Sequence, residues 1–302
     1  MGYGAFTAFL SGGDGDDRLT SDITTPLPGG GVVAEARLYG GAGVDRIEAD
    51  TFSSGLDDGR ATNRIRGDAG DDEIEAFADS DGNSSGISLN EIDGGSGHDW
   101  ISALTDAVTN IGRNTQRNSI LGGGGDDDID AGHAFGSNGS GRVDNVLDGG
   151  SGDDRIRAWI EQKPNWEQYE MSALNDVRGG VGDDLLRARI EVDGSEGRLE
   201  LRNRVEGGSG DDILRAEIRV INDPPDNYSH IASGSVLLGG TGNDRLEAVG
   251  GQENTLDGGA GADVMIGGTG NDTYRVDTGR DQAREAAAPA PSKAQFPDRS
   301  RR

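Results

Sequence analysis

The chain has 302 residues, of which 53 are glycine, 32% are hydrophobic and 5% are aromatic, too little apolar mass for a conventional large core. Its 28 basic and 55 acidic side chains leave a net charge of -27, which makes nucleic acid an improbable partner and makes a compact state repel itself unless cations neutralise part of the charge. With no cysteine, disulfides are excluded as fasteners and the redox compartment stays open.

No stretch reaches the roughly 18 apolar residues of a membrane span, so none is expected. Residues 1–8 read as a lead-in, and the opening MGYGAFTAFLSGG has neither the basic start nor the full apolar run of an N-terminal secretion signal. From Gly12 a hexapeptide recurs: GGxGxD, then any residue, then Leu or Ile. Its copies begin at Gly12, Gly40, Gly67, Gly94, Gly122, Gly149, Gly179, Gly207, Gly239, Gly258 and Gly267, and the first nine are separated by 27 to 32 residues. The last two steps are 19 and 9, which together make one ordinary period and suggest that the loop at Gly258 lies inside it. Repetition of this kind signals stacked units, each laying its apolar face against its neighbours.

Downstream of each loop the sequence alternates, with Ile47 and Ala49, Ile74 and Ala76, or Ile101 and Ala103 on one parity and Arg46, Glu48, Glu73 and Glu75 on the other. Upstream, Asn63 with Ile65, Asn90 with Ile92, Asn118 with Ile120, Asn145 with Leu147, Asn175 with Val177, Asn203 with Val205 and Asn254 with Leu256 share a face. Period-2 alternation is the signature of half-buried strands. The expected architecture is therefore all-β: a parallel solenoid over residues 9–282 with rungs of about 27–32 residues, two short strands per rung, and a glycine-aspartate edge opposite a variable edge. The variable edge holds segments such as EQKPNWEQYE from Glu161 and NDPPDNYS from Asn222. The Asn column reads as a ladder of stacked amides rather than a ligand site. Outward charges should pair between rungs, Arg64 and Arg66 with Glu91 and Asp93, and Asp128 and Asp130 with Arg155 and Arg157. Residues 283–302, rich in Ala, Pro and Arg, read as a disordered tail.

The chemistry of the loop follows from its residue types. A tight turn that wraps a cation must point several carbonyl oxygens inward, through backbone angles that glycine visits cheaply. An aspartate adds a hard, charged oxygen, and an all-oxygen donor set suits calcium better than zinc or copper. One loop cannot supply the six to eight ligands calcium takes, so the natural site lies between loops of adjacent rungs. The sixth-place aspartates are Asp17, Asp45, Asp72, Asp99, Asp127, Asp154, Asp184, Asp212, Asp244, Asp263 and Asp272. A phosphate-cradling loop would need a following GK[ST], which is missing, and no loop has the twelve-residue ligand spread of an EF-hand. His98, His133 and His230 lack zinc-like spacing and read as incidental surface residues. Trp100, Trp159, Trp166 and Tyr169 suggest a sugar-stacking platform, but Trp100 and Trp159 read as lying on opposite parities, which favours scattered packing. No HExxH or GxSxG is present, so the chain is not expected to be an enzyme.

The GGxGxD-x-Leu/Ile units resemble the nonapeptide of the RTX, or hemolysin-type, calcium-binding proteins, a likeness that covers roughly residues 9–278. The resemblance implies a parallel β-roll, secretion from a Gram-negative bacterium, and calcium shared between loops. In that family the first and third carbonyls and the sixth carboxylate of one loop meet the second and fourth carbonyls and sixth carboxylate of the next. Carried over, a pair of loops would use Gly149, Ser151 and Asp154 with Gly180, Gly182 and Asp184. Candidate carbonyl donors are accordingly the first and fourth glycines of the loops: Gly40, Gly43, Gly67, Gly70, Gly94, Gly97, Gly122, Gly125, Gly149, Gly152, Gly179, Gly182, Gly207, Gly210, Gly239, Gly242, Gly267 and Gly270. Family members usually repeat every nine residues and bind along both edges, whereas here ions are expected mainly along one edge, on the order of eight to ten of them. At Gly67 the second glycine is replaced by Asp68, which should weaken that loop if the position needs a positive φ. The functions this leaves are a calcium-folded structural module, an accessory piece of a larger secreted enzyme, and a surface for cell-surface carbohydrate or self-assembly.

Overall fold

The computed structural model describes residues 4–25, 31–55, 58–82, 85–109, 113–135, 140–162, 170–193, 198–221, 230–268 and 270–286. Every regular element among them is a β-strand, and no helix long and apolar enough to cross a membrane is present among them. The first sheet contains β1 (Gly4–Asp14), β3 (Val32–Ala42), β5 (Gly59–Ala69), β7 (Gly86–Ser96), β9 (Arg113–Gly124), β11 (Ser140–Ser151), β13 (Glu170–Val181), β15 (Arg198–Ser209), β17 (His230–Thr241), β19 (Thr255–Ala260) and β21 (Thr273–Arg275). The second contains β2 (Arg18–Thr24), β4 (Arg46–Gly55), β6 (Glu73–Gly82), β8 (Trp100–Thr109), β10 (Asp128–Phe135), β12 (Arg155–Gln162), β14 (Leu185–Asp193), β16 (Ile213–Ile221), β18 (Arg245–Gly250), β20 (Val264–Gly267) and β22 (Gln282–Glu285). Each strand pairs in parallel with the strands one rung before and after it, so the chain winds as a right-through coil of two 11-stranded sheets.

Alternation decides which side chains enter. In β7 every second residue is buried, and the inward set of the first sheet, Leu38, Ile65, Ile92, Ile120, Leu147, Val177, Val205, Leu237 and Leu256, meets Ile47, Ile74, Ile101, Ile129, Ile156, Leu186, Leu214, Leu246 and Met265 of the second. Beside its large apolar residue each strand of the second sheet from β4 to β18 buries an alanine, and most strands of the first bury an asparagine. A second apolar cluster, including Ile160, Met171, Ile190, Leu199, Leu201 and Ile218, fills the variable side of the later rungs. In earlier rungs the same side is polar, with Thr51, Ser53, Ser80, Ser88, Thr105 and Gln116 buried.

Between these zones runs the Asn ladder. The Nδ2 of Asn63 donates to Oδ1 of Asn90 at 2.9 Å, Asn90 to Asn118 at 3.0 Å, Asn118 to Asn145 at 3.0 Å, Asn145 to Asn175 at 2.8 Å and Asn175 to Asn203 at 2.8 Å. Each Nδ2 also donates to a carbonyl of the opposite sheet, that of Phe77, Leu104, Gly132, Trp159, Arg189 or Glu217. The column is therefore a structural seam joining rung to rung and sheet to sheet. The outward pairs also fall in the expected register, Arg64 opposite Glu91 and Arg66 opposite Asp93, and Asp128 and Asp130 opposite Arg155 and Arg157.

Several expectations need correction. Strand pairing begins at Gly4 and ends at Glu285, so the ladder runs beyond the 9–282 span at both ends; residues 287–302 lie outside the described residues. The loop at Gly258 does not sit inside a longer period. It continues the same edge as its predecessors, since β19 pairs with β17, whereas the loop at Gly267 follows β20 and turns at the opposite edge. Nine residues carry the chain through one strand and hence half a rung, not a whole one. Trp100 and Trp159 both point outward from the second sheet, since each lies an odd number of residues past a sixth-place aspartate and Trp100 is in register with Asp128, Trp159 with Gly132. His133 is buried rather than superficial: its Nε2 lies 3.1 Å from the Asp144 carbonyl, and its Nδ1 makes a short contact with the Thr105 hydroxyl. Desolvation pushes its pKa down to about 3, so it is a neutral core residue. Trp166 and Tyr169, with most of the variable turns, lie outside the described residues.

Candidate metal centre

The glycine-aspartate turns stack at one edge. In the ten turns from Gly12 to Gly258 on this edge the second and fourth positions have positive φ, as in Gly150 (109°) and Gly152 (125°), a region that non-glycine residues rarely adopt. The exception is Asp68, at φ 75° the sole non-glycine with positive φ among the described residues, so the turn at Gly67 carries the strain its sequence suggests. The fourth-position N–H of each turn donates to the third-position carbonyl of the next, for example Gly125 to Ser151 at 2.7 Å and Gly152 to Val181 at 2.8 Å.

Two side-chain columns lock this stack. At the sixth place, the backbone N–H of each aspartate donates to Oδ1 of the aspartate one rung on, in an unbroken series through Asp17, Asp45, Asp72, Asp99, Asp127, Asp154, Asp184, Asp212, Asp244, Asp263 and Asp281 at 2.8–3.3 Å. At the fifth place the direction reverses: the N–H of Asp153, Asp183 and Asp211 donates back to the carboxylate of Asp126, Asp153 and Asp183, respectively. The first column is buried from Asp45 to Asp263 and half-buried at its ends, Asp17 and Asp281, whereas Asp126, Asp153, Asp183 and Asp211 of the second are exposed.

Asp272 is absent from that series. It stands at the opposite edge, where its Oδ1 accepts from the backbone N–H and the Nδ2 of Asn254. The eleventh member is Asp281, from the turn Val276–Asp281, VDTGRD. This turn has glycine only at its fourth place, so the GGxGxD pattern does not single it out, although it follows the loop at Gly267 by nine residues. Its Asp277 adds a further carboxylate, and Asp263, Asp277 and Asp281 each offer an oxygen within 4.8 Å of the others.

The test of whether these residues suit a cation lies in the second oxygen. Oδ2 of all eleven sixth-place aspartates singled out in the sequence, Asp272 included, is buried without a hydrogen-bond partner. Leaving one carboxylate oxygen so is costly, and a whole row of them points to a missing positive charge. Beside this oxygen, from Asp17 to Asp244, lies the first-glycine carbonyl of the following rung. A methyl group placed on Gly149 would lie within 3.0 Å of both Asp154 Oδ2 and the Gly179 carbonyl, and the same holds for Gly40 with Asp45 and Gly67, for Gly94 with Asp99 and Gly122, and for Gly207 with Asp212 and Gly239. Glycine at the first place thus keeps open a pocket between oxygens. Burial and the neighbouring carboxylates raise the pKa of Asp127, Asp184 and Asp212 to about 7 and of Asp72, Asp154 and Asp244 to about 6. The row is an all-oxygen, negatively charged donor set, which fits calcium.

The family model for RTX calcium-binding nonapeptide repeats (4 copies) matches residues 7–23, 37–53, 57–81, 89–107, 114–132, 141–159, 201–217 and 249–283, more than half of the chain. The chain belongs to this RTX repeat family. Comparison with curated proteins and with solved structures gives no match. The RTX repeats bind calcium, and the β-roll is a structural module.

Proposed function

We propose that the chain is a calcium-clamped module of a secreted or cell-surface bacterial protein, unfolded where calcium is scarce and folded once exported. The observation that carries this reading is the unbroken row of buried carboxylates whose second oxygens have no partner. In this reading an ion lies between each pair of adjacent turns along the aspartate edge, held by the sixth-place carboxylates of both rungs with backbone carbonyls of the glycine turns. The ten steps from Asp17 to Asp281 then give about ten ions, with the Asn254–Asp272 pair as one further candidate at the opposite edge. The glycine carbonyl beside each carboxylate belongs to the next rung's first glycine, and this first-place set (Gly40, Gly67, Gly94, Gly122, Gly149, Gly179, Gly207, Gly239) is the one we assign first. Gly267 and Gly270 belong to the opposite edge with Asp272. Because the unfolded chain has no such row, binding energy is folding energy.

Calorimetric titration of calcium-stripped protein, followed in parallel by circular dichroism, tests this. Saturation near ten ions with appearance of the β signal is expected; a spectrum that chelation leaves unchanged overturns it. Attachment to a larger secreted enzyme is compatible with the same role.

A further inference from the structure

The outer face of the second sheet carries a feature that the calcium row does not explain. Arg157, Arg187 and Arg215 stand directly opposite one another on β12, β14 and β16, about 4.8 Å apart from strand to strand. Like charges so placed destabilise a sheet. Arg157 is relieved by Asp130 at 3.2 Å and Arg215 by Glu247 at 2.9 Å, but Arg187 is exposed and has no ion pair or hydrogen bond among the described residues. Around it a groove is lined by Arg157, Trp159, Arg187, Arg189, Arg215 and Glu217. Arg189 is paired with Glu191, and Arg215 also lies 3.7 Å from Glu217, so of the four guanidinium groups lining the groove Arg187 is the one left without a carboxylate among the described residues.

Trp159 forms a fixed wall of this groove. Its ring lies over Gly132 of β10, where a side chain would collide with it, and its Nε1 donates to Asp130 Oδ1 at 2.7 Å. An immobilised aromatic next to a row of guanidinium forks combines an apolar surface for a sugar ring with bidentate donors for anionic groups.

We propose that this groove binds an anionic polysaccharide lying along the solenoid axis, with successive carboxylate or sulfate groups on Arg157, Arg187 and Arg215 and a sugar ring against Trp159. This site is distinct from the calcium edge and requires only that the roll be folded. Its test uses the full chain in excess calcium, so that glycan chelation leaves the fold intact by circular dichroism. The protein is titrated with a galacturonate hexamer, a heparin-derived hexasaccharide, a neutral maltohexaose and a single-stranded DNA hexamer. Binding of at least one anionic glycan and not of maltohexaose is expected, and the stronger of the two identifies carboxylate or sulfate as the group read. The double variant Arg157→Ser, Arg187→Ser should weaken that binding on the order of tenfold or more, while Arg66→Ser, on the outer face of the first sheet, leaves it unchanged. The proposal is overturned if neither anionic glycan binds, if the double variant binds as well as the parent, or if DNA binds as tightly as the glycans.

Discussion

From Asp45 to Asp244 each sixth-place aspartate divides its work between its two oxygens: Oδ1 takes the previous rung's N–H, as Asp154 does from Asp127 at 2.8 Å, and Oδ2 faces the neighbouring glycine carbonyl without a donor. Since Asp154 adjoins two turn-to-turn interfaces, Asp154→Asn should remove about two ions from the calorimetric stoichiometry while the flanking rungs keep the β spectrum at saturating calcium. A loss of no ions would mean that this carboxylate is not a ligand. Asp68 carries the opposite kind of information. It holds φ 75° in a place where every other turn of the column up to Gly258 has glycine, and L-residues other than glycine are strained there by roughly 1–2 kcal/mol, less for aspartate. Asp68→Gly is therefore expected to stabilise the calcium-loaded protein by about 1 kcal/mol, read as a raised thermal midpoint; a lowered midpoint would show that the Asp68 side chain contributes something its strain conceals.

At the scale of the turns and strands, the aspartate row behaves as one titrating element. Asp72, Asp99, Asp127, Asp154, Asp184, Asp212, Asp244 and Asp263 have pKa values raised by burial first and by neighbouring carboxylates in addition, to about 7 at Asp127, Asp184 and Asp212. The folded, metal-free row holds protons that the unfolded chain would release near pH 4, so its contribution is present in full below that pH and fades as pH rises through 6 to 7. Calcium-stripped protein should accordingly gain β signal on acidification from pH 8 to pH 5, whereas the calcium concentration at half-saturation should rise over the same interval because protons compete for the same oxygens. A metal-free spectrum insensitive to pH would contradict the burial of the row. Much of this element was legible in advance, because a side-chain period of two and a rung period near 27 together fix which residues face each other; the opposition of Arg64 and Glu91 follows from counting alone. The edge on which a turn lies was not legible. The loops at Gly258 and Gly267 look alike, and only the number of strands between them shows that they point to opposite sides. VDTGRD escaped because both leading glycines are gone, and the burial of His133 escaped because it depends on how the variable side is filled, which follows no repeat.

The roll has no centre: each rung touches its neighbours, and among the described residues no strand pairing ties the first rung to the last. Its stability is a sum over joints, with a thin apolar seam and a row of aspartates along the roll and an amide ladder from Asn63 to Asn203. The amide ladder is also the neutral counterpart of the metal row. Asn63, Asn90, Asn118, Asn145, Asn175 and Asn203 stand two residues before an inward Ile, Leu or Val, as the sixth-place aspartates do across the rung, and Asp272 falls in register with Asn254 on that same line. A carboxamide brings its own donor where a carboxylate needs a cation, which is why the Asn63–Asn203 column closes its hydrogen bonds with protein groups alone. The two opposed columns of hydrogen bonds at the fifth and sixth places give the joints from Asp71 to Asn243 the same pair of clasps, one reaching forward and one reaching back. Length is then a quantity that can be edited: excising residues 67–93 joins Arg66 to Gly94 with strand phase and turn spacing preserved. The shortened chain should still fold, with its calcium complement lower by about one. In such a design, growth by duplication of a single segment requires no new fit anywhere else in the protein.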